Sequence, residues 1–489
     1  MQLCYATIRE TMENMRQDSA IRQFCAARAE EQELDHDLDH TWPSLDFTND
    51  NENDAPQPEV DQLVNTFFND NDDNNNNNEE DSITDDVYSR ANVNQATDHD
   101  ERGADEGLQL VHLLLTCAEA VGCRDAHLAH SILNQISPRL NPWGDSLQRV
   151  SHCFAIALKS RLLLLQHISP NGSFSTNNNR INASTVTKQE RAQAFALLHK
   201  TTPYIAFGFA AANAAICQAA NGKPSLHIVD LGMQHNLQWP SLLKSLSIQP
   251  SPPKIVRITG VITDPDAVAE ELEHSMKRLC EYGIDLECNF VREVVSPLTL
   301  TREKLGLKEE EVLVVNSIMQ LHKHVKESRG SLKTILQSIK KLGPDLVTVV
   351  EQDANHNGPF FLGRFLECLH YYAAVFDSLE WRLARGSGER MKIERWHMGE
   401  EICNVVACEG EDRVERHERA EQWRRQMGRA GFQVVGLECL DEVKGVVGGY
   451  GSEGYTLTVE KGCLQLGWKG RPIMMASAWQ LNNLSSSAS

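Results

Sequence analysis

The chain has 489 residues, 41% of them hydrophobic, which is enough for two or three domains around a large core. Its net charge of −21 is unevenly placed: between Glu30 and Glu106, 25 Asp and Glu stand against two Arg, so the remainder is nearly neutral. This excludes the broad basic field of non-specific nucleic-acid binders, and no apolar run is long enough to span a membrane.

The thirteen cysteines show no metal-ligand spacing, and no signal peptide is visible, so reduced thiols in an intracellular protein are expected. Residues 1 to about 29 can form a short helix. From there to about Glu106 the chain is dominated by Asp, Asn, Glu and Gln, too poor in apolar surface to offset the entropy of ordering, and residues 1–106 read as an acidic, largely disordered region. Two apolar islands, Trp42 to Phe47 and Val60 to Phe68, suit capture by a hydrophobic groove on a partner, or are residual hydrophobicity.

A mainly helical region follows, residues 107–222. Leu108, Val111, Leu115 and Ala118 recur at helical spacing, as do Leu128, Ile132, Leu133 and Ile136, then Leu147 through Leu165. The stripes are too short for a zipper and fit a helical bundle. Leu110, Leu113 and Leu114 spell an L-x-x-L-L groove-binding motif, a candidate partner site, although within an apolar stripe such leucines are usually core. Gln166 to Glu190 reads as a surface loop, and Pro203 to Ala220 as an apolar helix.

The α/β core is placed at residues 223–481. Leu226-His227-Ile228-Val229-Asp230 is a short buried strand, followed by Leu231-Gly232 and a helix from Trp239. Further strands are expected at Lys254–Thr259, Asp285–Phe290, Glu311–Asn316 and Asp345–Glu351. The intervening helices run from Asp264-Pro265 to Gly283 and from Ser331 to Leu342. Strands alternating with helices predict a doubly wound sheet. Helices at Pro359–Leu379, Trp396–Ala407 and Arg413–Arg429 lead to a strand at Phe432–Leu437. Tyr455–Glu460, Cys463–Trp468 and Ile473–Trp479 then form antiparallel hairpins, and residues 482–489 a loose tail.

A doubly wound sheet with an antiparallel end resembles the S-adenosylmethionine-dependent methyltransferases, and ligands in such sheets sit beyond the carboxyl ends of the strands. Asp230 and Gly232 stand where those enzymes hold the cofactor. However, Met233-Gln234-His235-Asn236 lacks the next glycine, and Arg257-Ile258-Thr259-Gly260 occupies the expected second-strand end without an acidic residue. The site reads as degenerate, with no cofactor bound. His322 and His324 lack a third ligand in sequence, so no metal is expected, and both read as surface residues. Glu351 to Asn357 is dense in polar groups, read as capping the helix after it. His227 and Asp230 are expected to hold the strand end and its turn by hydrogen bonds. No nucleophile elbow, zincin motif or P-loop is present.

From about Leu108 to Leu481 the ordered motifs resemble the plant GRAS family. They are a leucine-rich region; His227, Ile228 and Asp230 within the block that the family reads V-H-I-I-D; and Pro344 with Phe365 and Tyr371-Tyr372. Arg413-Val414-Glu415-Arg416, Trp423 with Gly431, Trp468, and Ser477-Ala478-Trp479 complete them. The resemblance implies a methyltransferase-like core with an N-terminal helical cap and a nuclear, non-enzymatic regulator of transcription in plant development, symbiosis or hormone signalling. Its expected partners are other GRAS proteins and transcription factors, in homo- or heterodimers, with promoter DNA for some members and no membrane. The C-terminal half resembles the DELLA branch, but the Asp-Glu-Leu-Leu-Ala segment is missing from the N-terminal region. A working methyltransferase or a small-molecule sensor using the same cleft is the alternative. Arg413 to Arg429 reads as an exposed, mixed-charge helix, with Arg424, Arg425 and Arg429 as candidate DNA-phosphate contacts. Trp423, Trp468 and Trp479 read as core anchors.

Overall fold

A computed structural model describes residues 93–166, 186–262, 276, 285–292, 300–326, 330–451 and 453–482. The apolar islands, the helix expected after Asp264 apart from Met276, residues 167–185 of the expected surface loop, and the tail beyond residue 482 lie outside the described residues. Two compact units divide the chain: Met1–Asp105 with Thr176–Ala183, and Glu106–Ser175 with Ser184–Ser489. The sheet and the helices packed on it belong to the second.

The leucine stripes become helices α1 (Val93–Gly122), α2 (Ala126–Ile136) and α3 (Ser146–Gln166), and α1 begins upstream of the expected start at residue 107. Asp125 caps α2 by accepting from Leu128 N. Helix α4 (Lys188–Thr201) opens on a capping box, the Thr187 hydroxyl accepting from Glu190 N and the Glu190 carboxylate from Thr187 N. Helix α5 (Pro203–Ala220) is apolar almost all round and correspondingly buried, as a helix must be when it packs on more than one side.

The sheet has the order β3-β2-β1-β4-β5-β9-β8-β7, with β6 also paired to β9. Strands β1 (Ser225–Leu231), β2 (Ile255–Ile262), β3 (Asp285–Arg292), β4 (Val312–Ile318) and β5 (Leu346–Gln352) are parallel. Helix α6 (Trp239–Ser247) lies with α5 on one face, over Leu226, Ile228, Val256 and Val314. Helix α7 (Gly330–Leu342) lies on the other, over Val229, Val315 and Val349. This is the doubly wound arrangement, and it explains why the inner strands β1, β4 and β5 read as mainly apolar runs, whereas β3 at the edge alternates.

Helix α8 (Phe361–Arg382), α9 (Gly388–Ile393), a single π-helical turn and α10 (Gly399–Ala407) come next. Helices α8 and α10 pack on α3 and complete the cap. Helix α11 (Ala420–Ala430) leads into β6 (Phe432–Val435), and α12 (Leu440–Gly448), absent from the sequence-based expectations, packs on α5. Strands β7 (Tyr455–Glu460), β8 (Cys463–Trp468) and β9 (Arg471–Leu481) form the antiparallel end. Their hairpins turn on Lys461-Gly462 and Lys469-Gly470, all four residues with positive φ, as two-residue turns matching the strand twist require. Strand β9 sits between β5 on one side and β8 and β6 on the other. No described helix is long and apolar enough to cross a membrane.

Three expectations are corrected. Residues 413–419 are not helical: they run without regular structure to α11, with Arg413, Arg416 and Arg419 bonding to His356 O, Asn357 Oδ1 and Asp353 O of the segment after β5. Strand β2 continues to Ile262, so Arg257–Gly260 is not its end, and the residues after Ile262 lie outside the described ones. Leu110 and Leu114 are buried and Leu113 half-buried, so the L-x-x-L-L residues pack inside the cap rather than standing free for a partner.

Candidate functional site

Asp230 stands one residue before the end of β1, near where a methyltransferase-like sheet receives its ligand. It is buried, and its Oδ1 accepts a 2.6 Å hydrogen bond from Asn316 Nδ2 on the neighbouring β4. The same Nδ2 donates to Gln238 Oε1 at 3.0 Å, and Asn316 Oδ1 accepts from Thr348 Oγ1 at 2.7 Å. Gln238 Nε2 donates to Asn213 Oδ1 on α5, and Asn213 Nδ2 to Ser241 Oγ on α6. One polar network therefore links β1, β4, β5, α5 and α6. Burial pushes the Asp230 carboxyl up to about 7, although the Asn316 hydrogen bond acts the other way.

Gly232 turns the chain with φ +70°, and its N–H donates to Val261 O. The Gln320 amide fills the space a Cβ there would need. In the loop beyond, buried Met233 lies against Gly260, and the His235 ring stacks on Phe195 with Phe209 alongside. Burial drives the His235 pKa down to about 4. These residues do not fit S-adenosylmethionine. Asn316 engages one oxygen of the Asp230 carboxylate, and side chains crowd the turn where bare backbone would have to close on the ligand.

His227 does not hold the turn. It sits within β1, its Nε2 2.8 Å from Thr259 Oγ1 and its Nδ1 3.5 Å from Glu311 Oε2. Asp230 likewise bonds across the sheet, not to the turn. Ile228 is core.

A second polar centre lies beyond the ends of β4 and β5. His322, in a 3-10 turn after β4, is buried, contrary to its reading as a surface residue. Its Nδ1–H donates to Glu351 Oε2 at 2.6 Å, and its Nε2–H to Glu415 Oε2 at 2.9 Å. Burial alone would lower the His322 pKa, but the two carboxylates outweigh it and lift it to about 9. Burial would raise the Glu415 carboxyl, and His322 and His417 hold it well below the usual range. His417, fully buried, places Nε2 3.1 Å from Glu415 Oε2 and Nδ1 2.8 Å from His356 Nδ1.

The polar run Glu351 to Asn357 does not cap α8, whose N-cap Phe360 makes no side-chain bond. It reaches across the fold instead. Asp353 accepts from Ala420 N at the start of α11 and from Gln465 Nε2 on β8, and Asn357 Nδ2 donates to Glu418. Arg413 and Arg416, expected on a solvated face, are buried: Arg413 Nη1 donates to His356 O, and Arg416 to Arg413 O, Gly410 O and Asn357 Oδ1. Glu415 supports no helical pair with Arg419, which bonds Asp353 O and Glu367.

Trp423, Trp468 and Trp479 are all buried; Trp468 Nε1 donates to Asp377 Oδ2 and Trp479 Nε1 to Ser477 Oγ. Ser477 Oγ donates to Val349 O on β5, and Ala478 is core. Gly431 closes α11 in the left-handed conformation. Arg425 and Arg429 are exposed and Arg424 half-exposed, with Arg425 paired to Glu421 at 2.6 Å. Sequence reasoning missed Asn213, Gln238 and Gln320, and the buried pairing of Arg149 with Glu380 and Glu394. A lone Asn in an otherwise apolar helix, or an Arg in an apolar stripe, was the available signal.

Topology and site together define a methyltransferase-like α/β protein with a helical cap and an occluded cofactor end. A GRAS domain family profile matches residues 110–480, and the chain belongs to that family. It is 42% identical to the GRAS family protein RAD1 of Medicago truncatula, over 80% of this chain and 75% of that one. It is 36% identical to the DELLA protein GAI1 of Vitis vinifera, over 77% of this chain and 62% of that one. Among solved structures, SCL7 of Oryza sativa superposes with TM-score 0.65 at 28% identity, covering 76% of this chain and 99% of that one.

Proposed function

We propose that this protein is a non-enzymatic plant regulator of transcription that works in the nucleus through protein partners. The observation carrying this reading is the Asp230–Asn316–Gln238–Asn213 network, with Gln320 over Gly232. It occupies with the chain's own side chains the place where a related enzyme would hold its cofactor. Membership of the GRAS family and similarity to RAD1 and DELLA proteins support regulation over catalysis. Other GRAS proteins and transcription factors are the proposed partners, in homo- or heterodimers, with the acidic N-terminal region recruiting further factors. Arg424, Arg425 and Arg429 on α11 are the proposed contacts to promoter DNA.

Titration calorimetry with S-adenosylmethionine separates this reading from a methyltransferase. No measurable heat is expected, and micromolar binding abolished by Asp230→Ala overturns the proposal. A promoter-reporter assay in plant cells, with and without residues 1–106, tests the regulatory role. Output that depends on the chain and falls on removing the acidic region is expected; no effect of the whole chain on any reporter driven by its partners would count against it.

A further inference from the structure

The centre formed by His322, Glu415 and His417 brings two imidazoles and one carboxylate, each presenting a ligand atom, to within 4.8 Å of one another. His322 Nε2 and His417 Nε2 both lie against the same oxygen, Glu415 Oε2, at 2.9 and 3.1 Å. His417 Nε2, fully buried, thus faces the same carboxylate oxygen as His322 Nε2.

We infer that His322 Nε2, His417 Nε2 and Glu415 Oε2 form a divalent transition-metal site, best suited to zinc, with one coordination position left for water. Two histidine nitrogens and one carboxylate oxygen are a ligand set that zinc accepts in tetrahedral geometry. The groups behind the ligands are those a metal site requires. Glu351 Oε2 receives the Nδ1–H of His322 at 2.6 Å, which directs that ring's Nε2 toward the ion. His356 Nδ1, 2.8 Å from His417 Nδ1, does the same for the second ring by accepting its proton. Binding the ion displaces the proton that His322 Nε2 otherwise presents to Glu415 Oε2, and it is released to solvent. The ion joins the turn after β4 to the segment before α11, pinning residues 413–419, which have no helix or strand of their own to hold them.

Cobalt substitution tests this on the full chain, because cobalt reports its ligands and the many cysteines must be excluded. The chelator-treated protein is titrated with Co(II) and followed by visible absorption, then by displacement with zinc. One equivalent is expected, with ligand-field bands, no thiolate charge-transfer band, and a rise in melting temperature with zinc that chelation reverses. His417→Gln abolishes the bands, His324→Gln on the same turn as His322 keeps them, and His417→Cys introduces a thiolate charge-transfer band at the same stoichiometry. Absence of stoichiometric binding in the unsubstituted chain overturns the site without recourse to any variant. Thiolate charge transfer in the unsubstituted chain, or bands that survive His417→Gln, also overturn it.

Discussion

Gln320 lies over Gly232, its side-chain amide in the space any Cβ at that position would need. Two residues far apart in sequence thus seal the turn that in an enzyme of this architecture must stay open. Gly232→Ala meets this amide and also forces a Cβ into left-handed backbone, costing about 1–2 kcal/mol for the backbone alone and more with the overlap. The double variant with Gln320→Ala recovers the steric part only. Denaturant unfolding of the two single variants and the double measures the coupling, and strict additivity contradicts the contact.

Asp230 predicts a pH effect of definite sign. Its folded carboxyl titrates near 7 against an ordinary 3.8, so the folded state binds the proton more tightly. The resulting stabilisation is complete below the unfolded value and is lost as pH rises through the folded one. Asp230→Asn removes that dependence, so its melting temperature gains on the unsubstituted chain between about pH 4 and 7. Glu394, also raised to about 7, is present in both proteins and cancels. A difference that stays flat across this window contradicts the assignment.

The Arg149 guanidinium reaches Glu394 at 2.9 Å and Glu380 at 3.0 Å, all three side chains nearly out of solvent. Arg149→Ala leaves Glu394 buried without its main counter-charge and is expected to cost about 3–5 kcal/mol. Arg149→Met combined with Glu394→Leu restores much of this. Chemical denaturation of both reads the difference.

Trp423 sits among Ala420, Met427, Leu336 and Val349 on the α7 face of the sheet. Trp423→Ala is expected to cost about 3–5 kcal/mol by leaving a cavity, measurable as a lower denaturation midpoint. By contrast, Arg425→Ala and Arg429→Ala should change stability by less than about 0.5 kcal/mol, because both are exposed and the Glu421 pair is a surface one. A loss of promoter binding in those two variants, with unchanged unfolding, therefore reports on contact rather than fold.

The inner parallel strands β1, β4 and β5 were legible because each is mainly apolar on both faces, and the hairpins because Lys-Gly pairs punctuate them. The crowding of the turn after β1 was legible from Met233 and His235. Its filling was not, since Asn213, Gln238 and Gln320 come from three separate segments and nothing local marks them as neighbours. The segment 413–419 was misread for a related reason. Its alternating Arg and Glu carry the pattern of a solvated helix, and only His322 from the turn after β4, with Asp353 and Asn357 from the segment after β5, gives those charges an interior role. Helix α12 escaped because three glycines, Gly445, Gly448 and Gly449, stand in or beside it.

Strand β9 has a consequence for biosynthesis. It lies between β5 and the hairpin strands, and Ser477 bonds Val349 across 128 residues of chain. While the polypeptide is emerging from the ribosome, β5 presents a bare edge until residue 481 has been made. The nascent protein must be kept from pairing with other chains throughout that interval.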